Sequence, residues 1–348
     1  LSISIGYSDP DITSAVKQQL DNGVIFSLPH PLEMEVAELL VELVPCAQKV
    51  RFGKNGTDAT SAAVRLARAY THRDHILVCG YHGWQDWYIG STTRDLGVPR
   101  AVKELTHVFQ YNDINSLEKW FDRYPNEIAA VIMEPMNIDW PKNGFLEHIK
   151  ELAHRHGAVL IFDETITGCR VAKGGAQELF DVTPDLATFG KGLANGFPLS
   201  AIVGKEEIMN LMDEIFFSGT FGGETLSLAA AKSVLQKVKD GEVVEQLLST
   251  GQLVLDGVQA LIEKHDIKDL IQVSGHPAWT ILTFKETNQF TSLQIKTLFL
   301  QEVFKRGVLT IGTHNISCAH TKKDVAQLLK TYDEVFPVLR SSVDGGDL

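Results

Sequence analysis

Five short apolar runs in the middle of the chain constrain its fold more than any other feature: Ile76–Cys79, Ile128–Met133, Ala158–Phe162, Leu186–Phe189 and Ser200–Val203. None of them alternates polar with apolar residues. A strand with one face in water shows that alternation, so strands this uniformly apolar belong to a sheet covered on both faces. The intervening segments have helical spacing. In Phe145–His156, Leu146, Ile149, Leu152 and Ala153 share one side, and Gly157 supplies a stop. This strand–helix–strand rhythm predicts an α/β fold with a mostly parallel central sheet flanked by helices.

After about Asp240 the pattern changes. A helical segment over Val243–His265, the stretch Ala278–Phe284, a helix over Ser292–Lys305, the run Gly307–Ile311 and a closing helix from about Lys323 to Leu339 read as a smaller α+β domain. The expected division is an N-terminal segment over residues 1–30, a large domain over 31–243 and a small C-terminal domain over 244–348. The N-terminal segment holds one helical pattern, Asp11–Leu20, too little for a domain of its own. The chain opens at Leu1 without Met, and no basic segment followed by an apolar core marks a secretory leader.

Composition narrows the function. Lys and Arg total 32 against 44 Asp and Glu, a net charge of −12, and no basic run is present, which argues against nucleic acid as a partner. No apolar stretch approaches the roughly 20 residues of a membrane-spanning helix. The four cysteines (Cys46, Cys79, Cys169, Cys318) form no CxxC pair, so neither a metal site nor a disulfide framework is expected, and a reducing, cytoplasmic setting fits.

Four local signals sit where a strand ends or a helix begins, the edge at which open α/β sheets bind ligands. In Gly53-Lys-Asn-Gly56-Thr57-Asp58, a helix start offers free N–H groups and a hydroxyl, suited to a phosphate; an ordinary N-cap is the alternative. Asp163, following the most apolar run, is a carboxylate expected to be partly buried and to need a partner, either a protonated ring nitrogen or a cap or salt bridge. Lys191, between Gly190 and Gly192, is a candidate amine nucleophile able to form a Schiff base; the same letters make a loose GxGxxxG loop for a dinucleotide. Ser218–Ala231 places hydroxyls and glycines before a helix, a second anion site or a plain turn.

In this order, the stretches NGTDATSAAVRLARAYTHRD, YHGW, MEP, LIFDETITGCR and GGAQELFDVTPDLATFGKGLANGFPLSAIVG, with the GTF segment, resemble the class III aminotransferase family of pyridoxal-phosphate enzymes, and within it the glutamate-1-semialdehyde aminomutase branch. The resemblance implies a fold-type I transferase, pyridoxal 5'-phosphate as cofactor, small amine and carbonyl substrates, and a homodimer with shared active sites. By position it makes Lys191 the Schiff-base lysine and Asp163 the partner of the pyridine nitrogen, with Gly56 and Thr57 on the phosphate. Tyr81 would stack on the ring, Glu134 would lie near it, and Thr220 would reach the phosphate of the neighbouring subunit. The implied reaction moves an amino group between an amine or amino acid and a carbonyl compound. A 1,2-aminomutase is the alternative, and a nucleotide-binding, dehydrogenase-like module the remote one.

This chain also departs from the family pattern. It has Gly223-Glu224-Thr225 where the family commonly has Gly-Asn-Pro. Glu224 either faces a substrate bearing a second amine or several hydroxyls, or caps a helix. Trp84 is either a substrate wall or core, Arg94 and Arg170 are nominees for clamping a substrate carboxylate, and the N-terminal arm that helps close family active sites is expected to be short or absent.

Overall fold

In the computed structural model, which describes residues 1–346, each of the five apolar runs becomes a strand. They are joined by two more, β1 and β3, giving β1 (Lys49–Gly53), β2 (His75–Cys79), β3 (Thr106–Val108), β4 (Ile128–Met133), β5 (Val159–Asp163), β6 (Leu186–Phe189) and β7 (Ser200–Gly204). Their order is β1-β7-β6-β5-β4-β2-β3. From β3 to β6 all pairings are parallel, while β7 runs antiparallel to both β6 and β1. Residues of β4, β5, β6 and β7 are buried without exception, which is why their letters do not alternate.

The helix Gly56–Thr71 shows how one covering layer forms. Its small residues Ala59, Ala62, Ala63 and Ala67, with Val64 and Leu66, pack on Ile76, Ile132, Ile161 and Ile202 of the sheet. Each large apolar side chain so buried contributes about 1.5–3 kcal/mol. The alanines let helix and sheet approach closely, so a bulky residue at Ala63 would overpack the layer. The neighbouring strands β2, β4, β5 and β6 are spaced ~5 Å apart. The residues just beyond their carboxyl ends, Gly80–His82, Glu134, Asp163 and Lys191, are thereby gathered along one edge.

The chain separates into two compact units: Leu1–Asn137 with Pro141–Glu242, and Ile138–Trp140 with the residues from Val243 on. The second unit carries a three-stranded antiparallel sheet of order β10-β9-β8, made of β8 (Ile271–His276), β9 (Trp279–Phe284) and β10 (Thr313–Asn315). Its helices span Val243–Lys264, Ser292–Lys305 and Lys322–Gly345. The run Gly307–Ile311 does not itself become a strand. Gly307 and Gly312 both take positive φ (80° and 87°), turning the chain at each end, and pairing with β9 begins only at Thr313. Among the described residues no helix is long and apolar enough to cross a membrane.

Candidate active site

Lys191 is set by the way β6 ends. Gly190 continues in an extended conformation, and the chain then closes a 3₁₀ turn over Lys191–Ala194. Lys191 opens that turn at φ 43°, the left-handed region that costs a residue with a side chain about 1–2 kcal/mol. Such strain concentrates at functional positions. The side chain is mostly buried, and no hydrogen bond or ion pair holds its ammonium among the described residues. Burial holds its pKa below the ordinary lysine value, with Arg170 adding to the effect, while Asp163 and Glu134 pull the other way.

Asp163, the last residue of β5, is 4% exposed and fully engaged. Oδ2 lies 2.9 Å from His82 Nδ1, and Oδ1 accepts from the Thr165 N–H and the Thr188 hydroxyl, both at 3.1 Å. His82 Nε2 stands 3.2 Å from the Cys79 carbonyl oxygen, which can only accept. An acceptor thus stands at each ring nitrogen, the Asp163 carboxylate at Nδ1 and the Cys79 carbonyl at Nε2. Burial alone would push the Asp163 carboxyl up. The hydrogen bond and charge of His82, with the bonds from Thr165, outweigh it and hold the group below the ordinary carboxylate range. His82 is 1% exposed and held by its own backbone, whose carbonyl accepts from Thr60 Oγ1 at 2.8 Å. Replacing it with alanine takes the partner of Oδ2 from a buried carboxylate that keeps only the Thr165 and Thr188 bonds, and H82A is expected to lose about 3–5 kcal/mol of unfolding free energy in urea titrations.

Glu134 follows β4 and is 6% exposed. Its Oε2 accepts from the Tyr81 N–H at 3.1 Å and from Asn137 Nδ2 at 2.7 Å. Burial, then the charge of Asp163, raises its pKa. The Tyr81 ring stands largely exposed, edge-on to Tyr88 at 5.7 Å between centroids. Gly80, just before it, has φ 110°, and a Cβ there would come within 2.5 Å of Glu134 Oε2, so only glycine lets these two chains meet.

Gly56 and Thr57 are the first residues of the helix Gly56–Thr71, whose initial N–H groups have no partner within the helix. Thr57 Oγ1 and Thr165 Oγ1 are both buried without a hydrogen-bond partner. The methyl of Thr165 lies 3.3 and 3.2 Å from where a Cβ would stand on Gly56 and Gly190, so the helix start and the lysine turn share one cradle. Unpartnered buried hydroxyls cost about 1–3 kcal/mol each. Two of them beside a helix N-terminus, an unpaired ammonium and an anchored carboxylate are a donor set that fits a phosphate-bearing aromatic cofactor.

Thr220 is exposed on the loop before the helix Thr225–Asp240. It lines a cavity of about 1000 Å³ with Gly53, Arg65, Gln85 and Phe217, to which neither Lys191 nor Asp163 contributes. Glu224 is the N-cap of that helix: Oε1 accepts from Leu226 N at 2.6 Å, and Oε2 from Ser227 Oγ at 2.6 Å and Lys54 Nζ at 2.9 Å. Both oxygens are thus occupied, as in the capping alternative. Trp84 is 68% exposed and so is not core. Arg94 is exposed, while Arg170, 1% exposed, donates to the Leu1 carbonyl at 2.7 Å and Ser4 Oγ at 3.0 Å. Glu164, next to Asp163, is turned away from the site. Fully buried, it accepts from the Ala176 and Gln177 N–H groups at 2.7 and 2.9 Å.

Neither His82 nor Thr165 carries a local signal of its role in the sequence. A lone histidine after an apolar strand reads as core, and its partner stands 81 residues on.

A mostly parallel sheet, a lysine turn after one strand and an anchored aspartate after its neighbour define a fold-type I transferase. The chain belongs to the class III aminotransferase family, whose model matches residues 1–324. It is similar to a 3-aminobutyryl-CoA aminotransferase of Cloacimonas acidaminovorans, 33% identical over 342 residues that cover 95% of this chain and 81% of that protein. It is also similar to a glutamate-1-semialdehyde 2,1-aminomutase of Aquifex aeolicus, 35% identical over 330 residues, 89% of this chain and 78% of the other. Among solved structures, the FumI protein of Sphingopyxis sp. MTA144, in its PLP internal aldimine form, superposes with a TM-score of 0.91 at 28% identity, covering 98% of this chain and 83% of that one.

Proposed function

We propose that this chain transfers an amino group between an amine or amino acid and a carbonyl compound, with pyridoxal 5'-phosphate held between Lys191 and Asp163. The observation that carries this reading is the relation of those two groups. Asp163 is buried and Lys191 mostly so, at the ends of neighbouring strands, and the charge of Asp163 acts on Lys191, yet no ion pair joins them among the described residues. Opposite charges so placed would pair unless something belongs between them.

When bound, the cofactor supplies an aldehyde that captures an amine and a ring that draws off the electron pair left by a broken C–H bond. Asp163, held below the ordinary carboxylate range by His82 and Thr165, would keep a proton on the ring nitrogen. Lys191 Nζ would be the covalent anchor and, its ammonium disfavoured by burial, the base that moves a proton at the substrate carbon. The N–H groups of Gly56 and Thr57 and the Thr57 hydroxyl would hold the phosphate, and Tyr81 and Glu134 would line the ring's place. The test is to add pyridoxal phosphate to the purified protein, reduce with borohydride and map the modified peptide. The expected site is Lys191, and attachment elsewhere overturns the reading.

A 1,2-aminomutase reaction is the second reading, supported by the Aquifex aeolicus relative. It predicts turnover of one amino aldehyde with no added amino acceptor, whereas a transaminase needs both partners.

The working form we infer is a homodimer. Thr220 stands away from its own Lys191, on a loop flanked by the exposed Phe216 (83%) and Phe221 (58%), an apolar surface suited to a second copy. If Thr220 serves the partner's site, mixing inactive Lys191→Ala and weakened Thr220→Ala chains yields hybrids with one intact site. The mixture is then expected to exceed the average activity of the two parents, and no gain would refute site sharing. The four cysteines, all free, suit a reducing compartment such as the cytoplasm.

A further inference from the structure

Lys191-Gly192-Leu193-Ala194-Asn195-Gly196 contains more small and special residues than the lysine itself requires. Their use is visible in what the turn touches. Asn195 closes the 3₁₀ turn at φ 45° and is 7% exposed. Its Oδ1 accepts from the Ser4 and Ile5 N–H groups, both at 3.0 Å, and its Nδ2 donates to the Gly6 carbonyl at 2.8 Å. One side chain therefore satisfies three consecutive backbone groups of a segment about 190 residues away, all of them buried. The two glycines make room for it. A Cβ on Gly192 would stand 2.7 Å from Ser4 Oγ, and one on Gly196 2.9 Å from Ile3 Cδ1. Arg170 grips the same segment from another side, at the Leu1 carbonyl and Ser4 Oγ, and its charge reaches Lys191.

We propose that Asn195 is a positioning residue: it fastens the segment Leu1–Gly6 against the turn that carries Lys191, so that this segment fixes the turn and shields the lysine from water. Of the letters that also suggested a dinucleotide loop, Gly192, Asn195 and Gly196 hold a piece of the protein's own chain. The charged groups acting on Lys191 are Asp163 from β5, Glu134 from the end of β4, and Arg170. Loosening the strap removes none of these charges but admits solvent. The inference rests on Lys191 being the reacting lysine.

The test is Asn195→Gly, because glycine takes φ 45° without strain and the substitution removes only the clamp. Two measurements are made. Hydrogen exchange of Ser4 and Ile5 is read on the cofactor-loaded protein. The pH dependence of Lys191 acetylation is read by mass spectrometry on the cofactor-free full chain. The expected result is exchange at least about tenfold faster at both amides, together with a Lys191 titration midpoint raised toward the ordinary lysine value. Labelling at a fixed pH near 8 then falls about 3- to 10-fold, since one unit of midpoint is a factor of ten in free amine. Asn195→Asp, which keeps the acceptor for Ser4 and Ile5, is expected to restore most of the exchange protection. Gly192→Ala, which crowds Ser4 without touching Asn195, gives the same paired readout should the glycine variant not fold. Unchanged exchange overturns the clamp, and faster exchange with an unmoved Lys191 profile overturns the positioning role. Because acetylation reads the amine wherever the cofactor attaches, these results are separable from failure of the borohydride mapping.

Discussion

Lys191→Ala is expected to abolish turnover, lowering kcat by about 10⁴-fold or more, while leaving the fold intact. Proton transfer by a positioned base is worth about 10²–10⁴-fold by itself, and the same residue is also the covalent anchor. Stability should move little. No hydrogen bond or ion pair holds the ammonium among the described residues, so its removal leaves no group orphaned, and it relieves the cost of a buried, unpaired charge. Lys191→Arg separates nucleophile from charge: it keeps a cation near Asp163 and Glu134 but supplies no amine that can lose its proton. Both variants should be inactive and should melt close to the unaltered protein. Steady-state kinetics and thermal melts give the two quantities, and measurable transamination by the alanine variant would falsify the assignment.

Why Lys191 and Asp163 were legible in the sequence, and His82 was not, is a matter of what strand ends reveal. A charged residue directly after a continuous apolar run is conspicuous, because the run fixes both its burial and its place at the sheet edge. Asp163 follows Val159–Phe162, and Lys191 follows Leu186–Phe189. The ion pair with His82 depends instead on the order β5-β4-β2, and strand order is not written in local pattern. The same holds for Glu224, whose occupant Lys54 is 170 residues away, and for Arg170, whose partners Leu1 and Ser4 are more distant than any motif can span. Of the fold, β2, β4, β5, β6 and β7 were visible because burial on both faces removes polar letters. The other two strands of that sheet were not. β1 exposes Lys49 and Arg51, and β3 is three residues long, too short for any period. Gly307–Ile311 misled in the opposite sense: its apolar Leu309 and Ile311 are 86% and 66% exposed, so hydrophobicity there reports a surface rather than a strand.

Asp163→Asn tests the other half of the site, and its effect should divide cleanly between chemistry and stability. The amide preserves shape and leaves His82 Nδ1 an oxygen to which it can donate, but it removes the charge that keeps a ring nitrogen protonated. Loss of one such preorganised electrostatic partner costs about 10²–10³-fold in kcat, and Asp163→Ala, which also removes the acceptor, should come close to abolishing turnover. The stability effect has a definite pH signature. The folded-state pKa of Asp163 is depressed, because the hydrogen bonds and charge around it outweigh the opposing effect of burial. Its contribution is therefore fully present above the unfolded carboxylate value near ~3.9 and is lost only as the pH falls through the lower folded value. The gap in unfolding free energy between the native protein and Asp163→Asn should accordingly narrow as the solution is acidified below about pH 4. Alanine should open a wider gap than asparagine, because it leaves His82 Nδ1 and the Thr188 hydroxyl without the oxygens they face. Urea titrations across that range measure the gap. A gap that instead widened on acidification would mean that Asp163 is neutral in the folded protein, and a neutral group there could not hold the ring proton on which the proposed chemistry depends.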